Sequence, residues 1–212
     1  MKLAAIIPAY NEEHTIGVVL KTICDSGLFS DVVVVDDGSA DRTAEVARRT
    51  CARVFQQKNQ GKGAAMQAGV LATDADIVFF ADADLLNFKK EHIEVLIRPV
   101  IEGSAYMTVG LRERGRFITW LLPKIAPVLG GERVLSRGLF LQLSGEATKN
   151  FGIETVMNDY CKRYDLSVRY VYLRGVKQVI KERKYGFLKG FLARMRMVWQ
   201  IIKAEIEVMK KK

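Results

Sequence analysis

The amino-acid sequence predicts an α/β domain with a mostly parallel central sheet flanked by helices. Two features carry that expectation. Over the first hundred residues short apolar runs alternate with amphipathic stretches, and the runs are nearly continuous in hydrophobicity, as in strands buried on both faces. Alternation of this kind gives parallel pairing, because a crossover helix returns the chain to start the next strand in the same direction. The chain has 212 residues, 49% of them hydrophobic, which suits one large domain with a real core.

LAAIIP (3–8), DVVVVDD (31–37), ARVFQQ (52–57) and ADIVFFAD (75–82) read as strands, with helices expected over 13–25, 40–49 and 61–73. His14 and His92 fall on helical stretches without evident partners. Past residue 100 the regularity weakens. SAYMTVGL (104–111) reads as a strand, and a basic loop with Arg112, Arg114 and Arg116 follows. GGERVLSR (130–137) reads as a loop or strand, FGIETVMNDYCKRY (151–164) as a helix and LSVRYVYL (166–173) as a last strand. No Pro-, Gly- or Ser-rich linker interrupts the chain, so residues 1–185 form one expected domain, with halves 1–100 and 101–185.

Several classes are excluded. Apolar content argues against disorder, and no apolar run approaches the roughly 18 residues of a membrane span. MKLAAIIPAYNEE reaches Asn11, Glu12 and Glu13 too soon for a secretory leader and reads as a first strand. Cys24, Cys51 and Cys161 are odd in number, scattered and without metal-ligand spacing, which predicts three reduced thiols and a cytoplasmic protein. The net charge is +9, but the segment from Lys181 onward, with ten bases and three acids, carries +7 of it. A local anionic partner is therefore expected, not nucleic acid bound by the whole surface.

Ligands of open α/β sheets bind beyond the carboxyl ends of the strands. Here those ends run into Pro8-Ala9-Tyr10-Asn11-Glu12-Glu13, Asp36-Asp37-Gly38-Ser39 and Asp82-Ala83-Asp84. On parallel strands the three acidic clusters share one rim, where their repulsion needs cations, hydroxyls or N–H groups to offset it. In an extended segment Asp82 and Asp84 project to the same side. Hard oxygen ligands without a His or Cys cluster favour Mg²⁺ or Mn²⁺, although a solvated turn gives the same pattern. Asn59-Gln60-Gly61-Lys62-Gly63 opens a helix whose backbone N–H groups suit an anion, with Lys62 in reach of a phosphate. Neither P-loop nor dinucleotide glycine spacing is present.

IIPAYNEE, VVVVDDGSADRT, NQGKGAAMQAG and FFADADLLN, in this order and spacing, resemble the family 2 glycosyltransferases of the GT-A fold. GGERVLSR and FGIET are similar to segments of the glucosyl-3-phosphoglycerate synthase type, and the polyprenyl-phosphate glycosyltransferase type is a second resemblance. The resemblance covers roughly residues 1–180. It implies a transfer of sugar from a nucleotide diphosphate sugar, UDP by preference, to an acceptor that carries a phosphate or a lipid, with Mg²⁺ or Mn²⁺ as cofactor. Residues 1–100 would then be the donor half and 101–185 the acceptor half.

Carried over residue by residue, Pro8, Ala9, Tyr10 and Glu12 would wrap the base, with Asp37 and Gly38 at base or ribose and Lys62 at base or phosphates. Asp82, Ala83 and Asp84 would hold ribose and metal, and Gly131 would lie beside donor sugar and acceptor. Glu154 and Asp84 would be the catalytic carboxylates. Gln178 stands where relatives often carry a metal-binding histidine, so Asp84, Asp82 and Gln178 form the implied metal set. Arg112, Arg114, Arg116 and Arg133 are the acceptor-binding candidates. If the reaction inverts, Glu154 should remove the acceptor proton; if it retains, Glu154 should position substrate.

Residues 186–212 place Leu188, Phe191, Leu192, Met195, Val198, Trp199, Ile202, Ile206 and Met209 near helical spacing on one face, with Lys189, Arg194, Arg196 and Lys203 largely elsewhere. A basic amphipathic helix of this kind fits the anionic inner face of a membrane, a second copy of the chain, or the protein's own core. Two other readings stay open. A phosphoacceptor receiver domain would leave about half the chain unexplained. A nucleotide-sugar-binding protein without transferase activity is the alternative that Gln178 suggests.

Overall fold

The alternating apolar runs pair as strands because each can bury both of its faces. In the computed structural model, which describes residues 1–112, 130–143 and 152–178, they form a seven-stranded sheet. The chain order is β1 (Leu3–Ala9), α1 (Ile16–Ser26), β2 (Asp31–Asp36), α2 (Thr43–Arg48), β3 (Arg53–Gln56), α3 (Lys62–Leu71), β4 (Ile77–Phe80), β5 (Leu85–Leu86) and α4 (Lys90–Ile101). It continues through β6 (Met107–Arg112), β7 (Arg133–Ser136), α5 (Arg137–Leu143), α6 (Ile153–Arg163), β8 (Val168–Leu173) and β9 (Lys177–Gln178). The expected helix over 186–212 and the loop residues Arg114 and Arg116 lie outside the described residues.

Across the sheet the order is β3-β2-β1-β4-β7-β6-β8. Every pairing is parallel except those of β7, which runs against both β4 and β6. The chain winds outward from β1 to β3, then returns to add β4 on the other side of β1. A crevice therefore opens between the carboxyl ends of β1 and β4. The reversed β7 has a further consequence: its first residues, not its last, reach that rim.

Period-two alternation divides the strands between two cores. Ile7, Val34, Phe79 and Val134 face α1, α2 and α4, whereas Ile6, Val33, Phe80 and Leu135 face α3, α5 and α6. On the first face Phe79 stacks between Phe29 and Phe88, at ring-centroid distances of 5.5 and 6.3 Å. On the second, α3 lies close to the sheet at Gly69, where an added Cβ would stand 2.4 Å from Ile6 Cγ2. That approach fixes the height of Lys62, at the other end of α3, over the rim.

Two expectations are corrected. His14 stands in a turn before α1, not within it: Thr43 Oγ1 and Asp41 Oδ2 accept from the N–H groups of Glu12 and Glu13, and the helix begins at Ile16. His92 does lie in a helix, α4, where its Nδ1 accepts from the Lys89 N–H. GGERVLSR is both loop and strand, as read: 130–132 form a loop, Arg133–Ser136 form β7, and only Arg137 belongs to α5. Finally, the cysteines are not all reduced: Cys24 and Cys51 are disulfide-bonded, and only Cys161 is free and buried. The bond joins the last turn of α1 to the segment after α2, two helices that pack together. Its sequence separation of 27 predicts about 3.5 kcal/mol of stabilisation by restricting the unfolded chain. Cys51→Ser should lower the denaturant midpoint accordingly, and reductant should lower the wild type to the same value but leave the variant unmoved.

Candidate active site

The three acidic clusters meet at the crevice. At the end of β1, Asn11 takes a positive φ of 55°, turning the chain across the rim. Its N–H donates to Ser39 Oγ at 2.9 Å, and its side-chain oxygen accepts from the Ala40 N–H at 2.8 Å. These bonds tie the Tyr10–Glu13 turn to the loop after β2. Pro8 and Ala9 close β1, Tyr10 is 42% exposed above them, and the Glu12 carboxylate accepts from the Thr15 hydroxyl at 3.0 Å. Tyr10 is therefore the exposed aromatic ring on this side of the crevice.

Asp37 is 4% exposed and shapes the next loop. It accepts from Gln57 Nε2 at 2.7 Å and from the N–H groups of Gln60 and Gly61 at 2.9 and 2.8 Å. Gly38 packs on the same loop. It has φ +79°, and a Cβ there would meet Asn59 N at 2.9 Å. The Gln57–Gly61 loop is thus pinned from below, and α3 leaves it at Lys62.

Lys62 reaches the centre of the rim. Its ammonium lies 2.7 Å from Asp82 Oδ1 and 2.7 Å from Glu154 Oε1. Burial opposes the charge, but the two carboxylates outweigh burial and hold Lys62 protonated far above the ordinary lysine range. The reciprocal effect acts on Glu154, in the first turn of α6. Burial pushes its carboxyl up, and Lys62, then Arg133, more than reverse that and hold it below the usual glutamate range.

Asp82 is enclosed on its other sides as well. Arg112, at the end of β6, brings Nη2 to 3.2 Å from Asp82 Oδ2. Gly131 packs directly against the carboxylate, and a Cβ there would fall 2.3 Å from Oδ2, so only glycine fits. Ala83 and Asp84 are both buried, Asp84 7% exposed. Next in the chain, β5 pairs with β9 and sets Gln178 opposite Leu85, so that Gln178 Nε2 donates to Asp84 Oδ1 at 2.8 Å. Burial and the adjacent Asp82 push the Asp84 carboxyl up to about 6, against which the Gln178 bond acts.

The donor set at Asp82, Asp84 and Gln178 fits a hard divalent cation: all three side chains offer oxygens, and Asp84 carries unneutralised charge next to another carboxylate. Among the described residues no group of three or more His, Cys, Asp or Glu side chains gathers to hold a metal, so a substrate would have to complete the shell. A nucleotide diphosphate has the oxygens for that.

Arg133 is brought to the site's base, not to its open surface. It is fully buried, with Nε donating to Gly130 O at 3.0 Å and Nη1 to Asn158 Oδ1 at 2.7 Å. Sequence reasoning passed over its neighbour Glu132, fully buried with Oε2 3.4 Å from Arg112 Nε. The signal was an acid next to two glycines in a segment that read equally as loop or strand.

Comparison with known proteins now identifies the class. The chain belongs to glycosyl transferase family 2, whose sequence profile matches residues 4–155. It is 30% identical over 161 residues to undecaprenyl-phosphate 4-deoxy-4-formamido-L-arabinose transferase of Edwardsiella ictaluri, covering 71% of this chain and 46% of that one. It is 33% identical over 117 residues to glucosyl-3-phosphoglycerate synthase of Mycobacterium tuberculosis, covering 50% and 36%. The chain thus spans about half, or less, of the length of these curated relatives. The crystal structure of the M. tuberculosis synthase with Mn²⁺, UDP-glucose and phosphoglyceric acid superposes with a TM-score of 0.70 at 28% identity, covering 84% of this chain and 71% of that one. The fold is that of the GT-A glycosyltransferases, as the motifs implied.

Proposed function

We propose that the chain is a metal-dependent glycosyltransferase that moves a sugar from a nucleotide diphosphate sugar, with UDP as the nucleotide, to a phosphate-bearing acceptor. One observation carries the reading: Asp82 and Asp84 stand at the crevice between β1 and β4, with Lys62, Arg112 and Gly131 converging on Asp82 and Lys62 joining it to Glu154. Mn²⁺ and UDP-glucose in the structure of the M. tuberculosis synthase support the donor and the cofactor.

Asp84 and Asp82 would hold the cation, joined by the Gln178 carbonyl oxygen once its amide turns over. When bound, the cation supplies neutralisation of charge on the diphosphate leaving group. Tyr10 offers a face to the base. Lys62 offers a fixed positive charge beside the phosphates. Glu154, paired with Lys62 and held ionised, is a weak proton acceptor at neutral pH. That depression favours a positioning role, accepting a hydrogen bond from a sugar or acceptor hydroxyl. Arg112 supplies the charge that an anionic acceptor needs near the reacting carbon. Phosphoglyceric acid and undecaprenyl phosphate, named for the relatives, are both acceptors of that charge class. The basic segment from Lys181 suits an anionic surface that would carry a lipid-linked one.

The test is a thermal-shift panel of UDP, GDP, UDP-glucose, UDP-GlcNAc and GDP-mannose with and without Mn²⁺, followed by transfer assays. A ligand at 100 times its dissociation constant should add about 2.7 kcal/mol. A Mn²⁺-dependent shift with uridine nucleotides is expected. Binding without turnover on phosphate-bearing acceptors would favour the non-transferring alternative, and no shift with any nucleotide would remove the donor site.

A further inference from the structure

We infer that Arg133 is a positioning residue of the donor site: its buried guanidinium ties the Gly130–Gly131 turn to α6 and so fixes the gap, between Gly131 and Glu154, that receives the sugar of the donor. The inference rests on the donor site proposed above.

The strand register brings Arg133 to that place. Alternation along β7 turns it to the same face as Leu135, the face that α6 covers, and its cross-strand neighbours on β4 and β6 are Phe80 and Val109. The side chain is fully buried there. Burial works against its charge, and Glu154 is the strongest of the groups that support it. Nε donates to Gly130 O at 3.0 Å and Nη1 to Asn158 Oδ1 at 2.7 Å.

Those two acceptors belong to the two segments that border Asp82. Gly130 precedes Gly131, where an added Cβ would fall 2.3 Å from Asp82 Oδ2. Asn158 follows Glu154 by four residues and so shares its face of α6. Glu154 in turn meets the Lys62 ammonium, which lies on Asp82 Oδ1. One planar group therefore sets the spacing of the two segments across the Asp82 carboxylate. An aliphatic side chain between Phe80 and Val109 would pack without the cost of a buried charge. What it would lack is the rigid fork, whose separate donors hold two segments at a set distance. Tyr10 and Asp84, proposed for the base and the cation, stand on other segments. Loss of the strut should accordingly spare the nucleotide and weaken the hold on its sugar.

The measurement is Mn²⁺-dependent affinity for UDP and for whichever of UDP-glucose and UDP-GlcNAc the wild type binds more tightly. It is made on wild type, Asn158→Leu, Asn158→Asp and Arg133→Lys, with melting temperatures to establish folding. Asn158→Leu should bind the UDP-sugar about tenfold more weakly, a coupling of ordinary size for residues in contact, with UDP affinity held within about twofold. Asn158→Asp keeps an oxygen for Nη1 and should retain wild-type affinities. Arg133→Lys, whose single ammonium cannot span both acceptors, should repeat the loss, and adding Asn158→Leu to it should change little. If Arg133→Lys does not fold, the two Asn158 variants carry the test. Parallel loss of UDP and UDP-sugar affinity would mark a purely structural role and overturn the inference. Wild-type UDP-sugar affinity in Asn158→Leu, or a full tenfold loss in Asn158→Asp, would overturn it as well, as would a wild type that binds UDP but neither UDP-sugar. A wild type that binds none of them with Mn²⁺ would remove the donor-site reading, and the inference with it.

Discussion

Asp84→Ala is expected to abolish Mn²⁺-dependent UDP binding and to reduce transfer by about a thousandfold, the scale set by loss of one preorganised electrostatic group. The same substitution should leave the empty protein more stable. Asp84 is 7% exposed, and burial together with Asp82 pushes its carboxyl up to about 6, so ionising it is unfavourable in the fold. The folded value lies above the unfolded one. Its relative stabilisation is therefore complete below about pH 4 and is lost as pH rises through 6. Above that pH, Asp84→Ala should gain about 1–3 kcal/mol over the wild type in the absence of metal. Denaturant melts at pH 4.5 and 7.5 would show it: the two proteins should converge at the lower pH and separate at the higher. Equal stability at both would mean that the Asp84 carboxylate is not strained.

A proton and a cation compete for the same carboxylate, so nucleotide affinity should follow the same group. Below about pH 6 each unit of acidification should weaken Mn²⁺–UDP binding by about tenfold, and binding at neutral pH should proceed with little proton uptake or release. Gln178 enters through its orientation. Its amide donates to Asp84 as placed, which stabilises the ionised form; turned over, it offers a carbonyl oxygen. Gln178→Ala should therefore weaken metal binding less than Asp84→Ala does.

The strands that carry this site were legible because each is a run of apolar residues bounded by acids. The motif residues at their ends needed only the parallel assumption to share a rim. Lys62 and Glu154, 92 positions apart, were both nominated, and the fold brings them into contact. The reversal of β7 was not legible. Hydropathy along Arg133–Ser136 has the same period in either direction, and only pairing with β4 and β6 decides which end meets the rim. Glu132 was missed for that reason, since a forward strand would have carried it to the opposite edge. The Cys24–Cys51 bond left no trace in spacing either, because it depends on how α1 packs on α2. The small β5–β9 pair, two residues on each side, is below the length at which alternation can be recognised.

Lys62→Met should be the most damaging change outside the metal ligands, because it acts on Asp82 and Glu154 together. Lys62 is the cation between them, its side chain 38% exposed and theirs 13% and 19%. Its removal leaves Arg112 on Asp82, and Glu154 without its strongest opposite charge. Glu154 should then take up a proton more readily, losing the ionised state that suits it to hold a hydroxyl. We expect turnover to fall by at least about a hundredfold, with a larger effect on kcat than on the KM for acceptor. The stability signature has a definite sign. Glu154 is held below its unfolded value, so its contribution is present above about pH 4.5 and lost on acidification through the folded value. Lys62 is held above its own, so its contribution is present below about pH 10.5 and lost as pH rises through the folded value. Between those limits the variant should be less stable by about 1–3 kcal/mol, a buried-pair value reduced for the solvent that reaches the ammonium. On acidification below about pH 4.5 the deficit should begin to shrink, because the wild type then progressively loses the pair. A deficit that stays constant across this range would assign Lys62's effect to packing of its aliphatic chain, not to its charge.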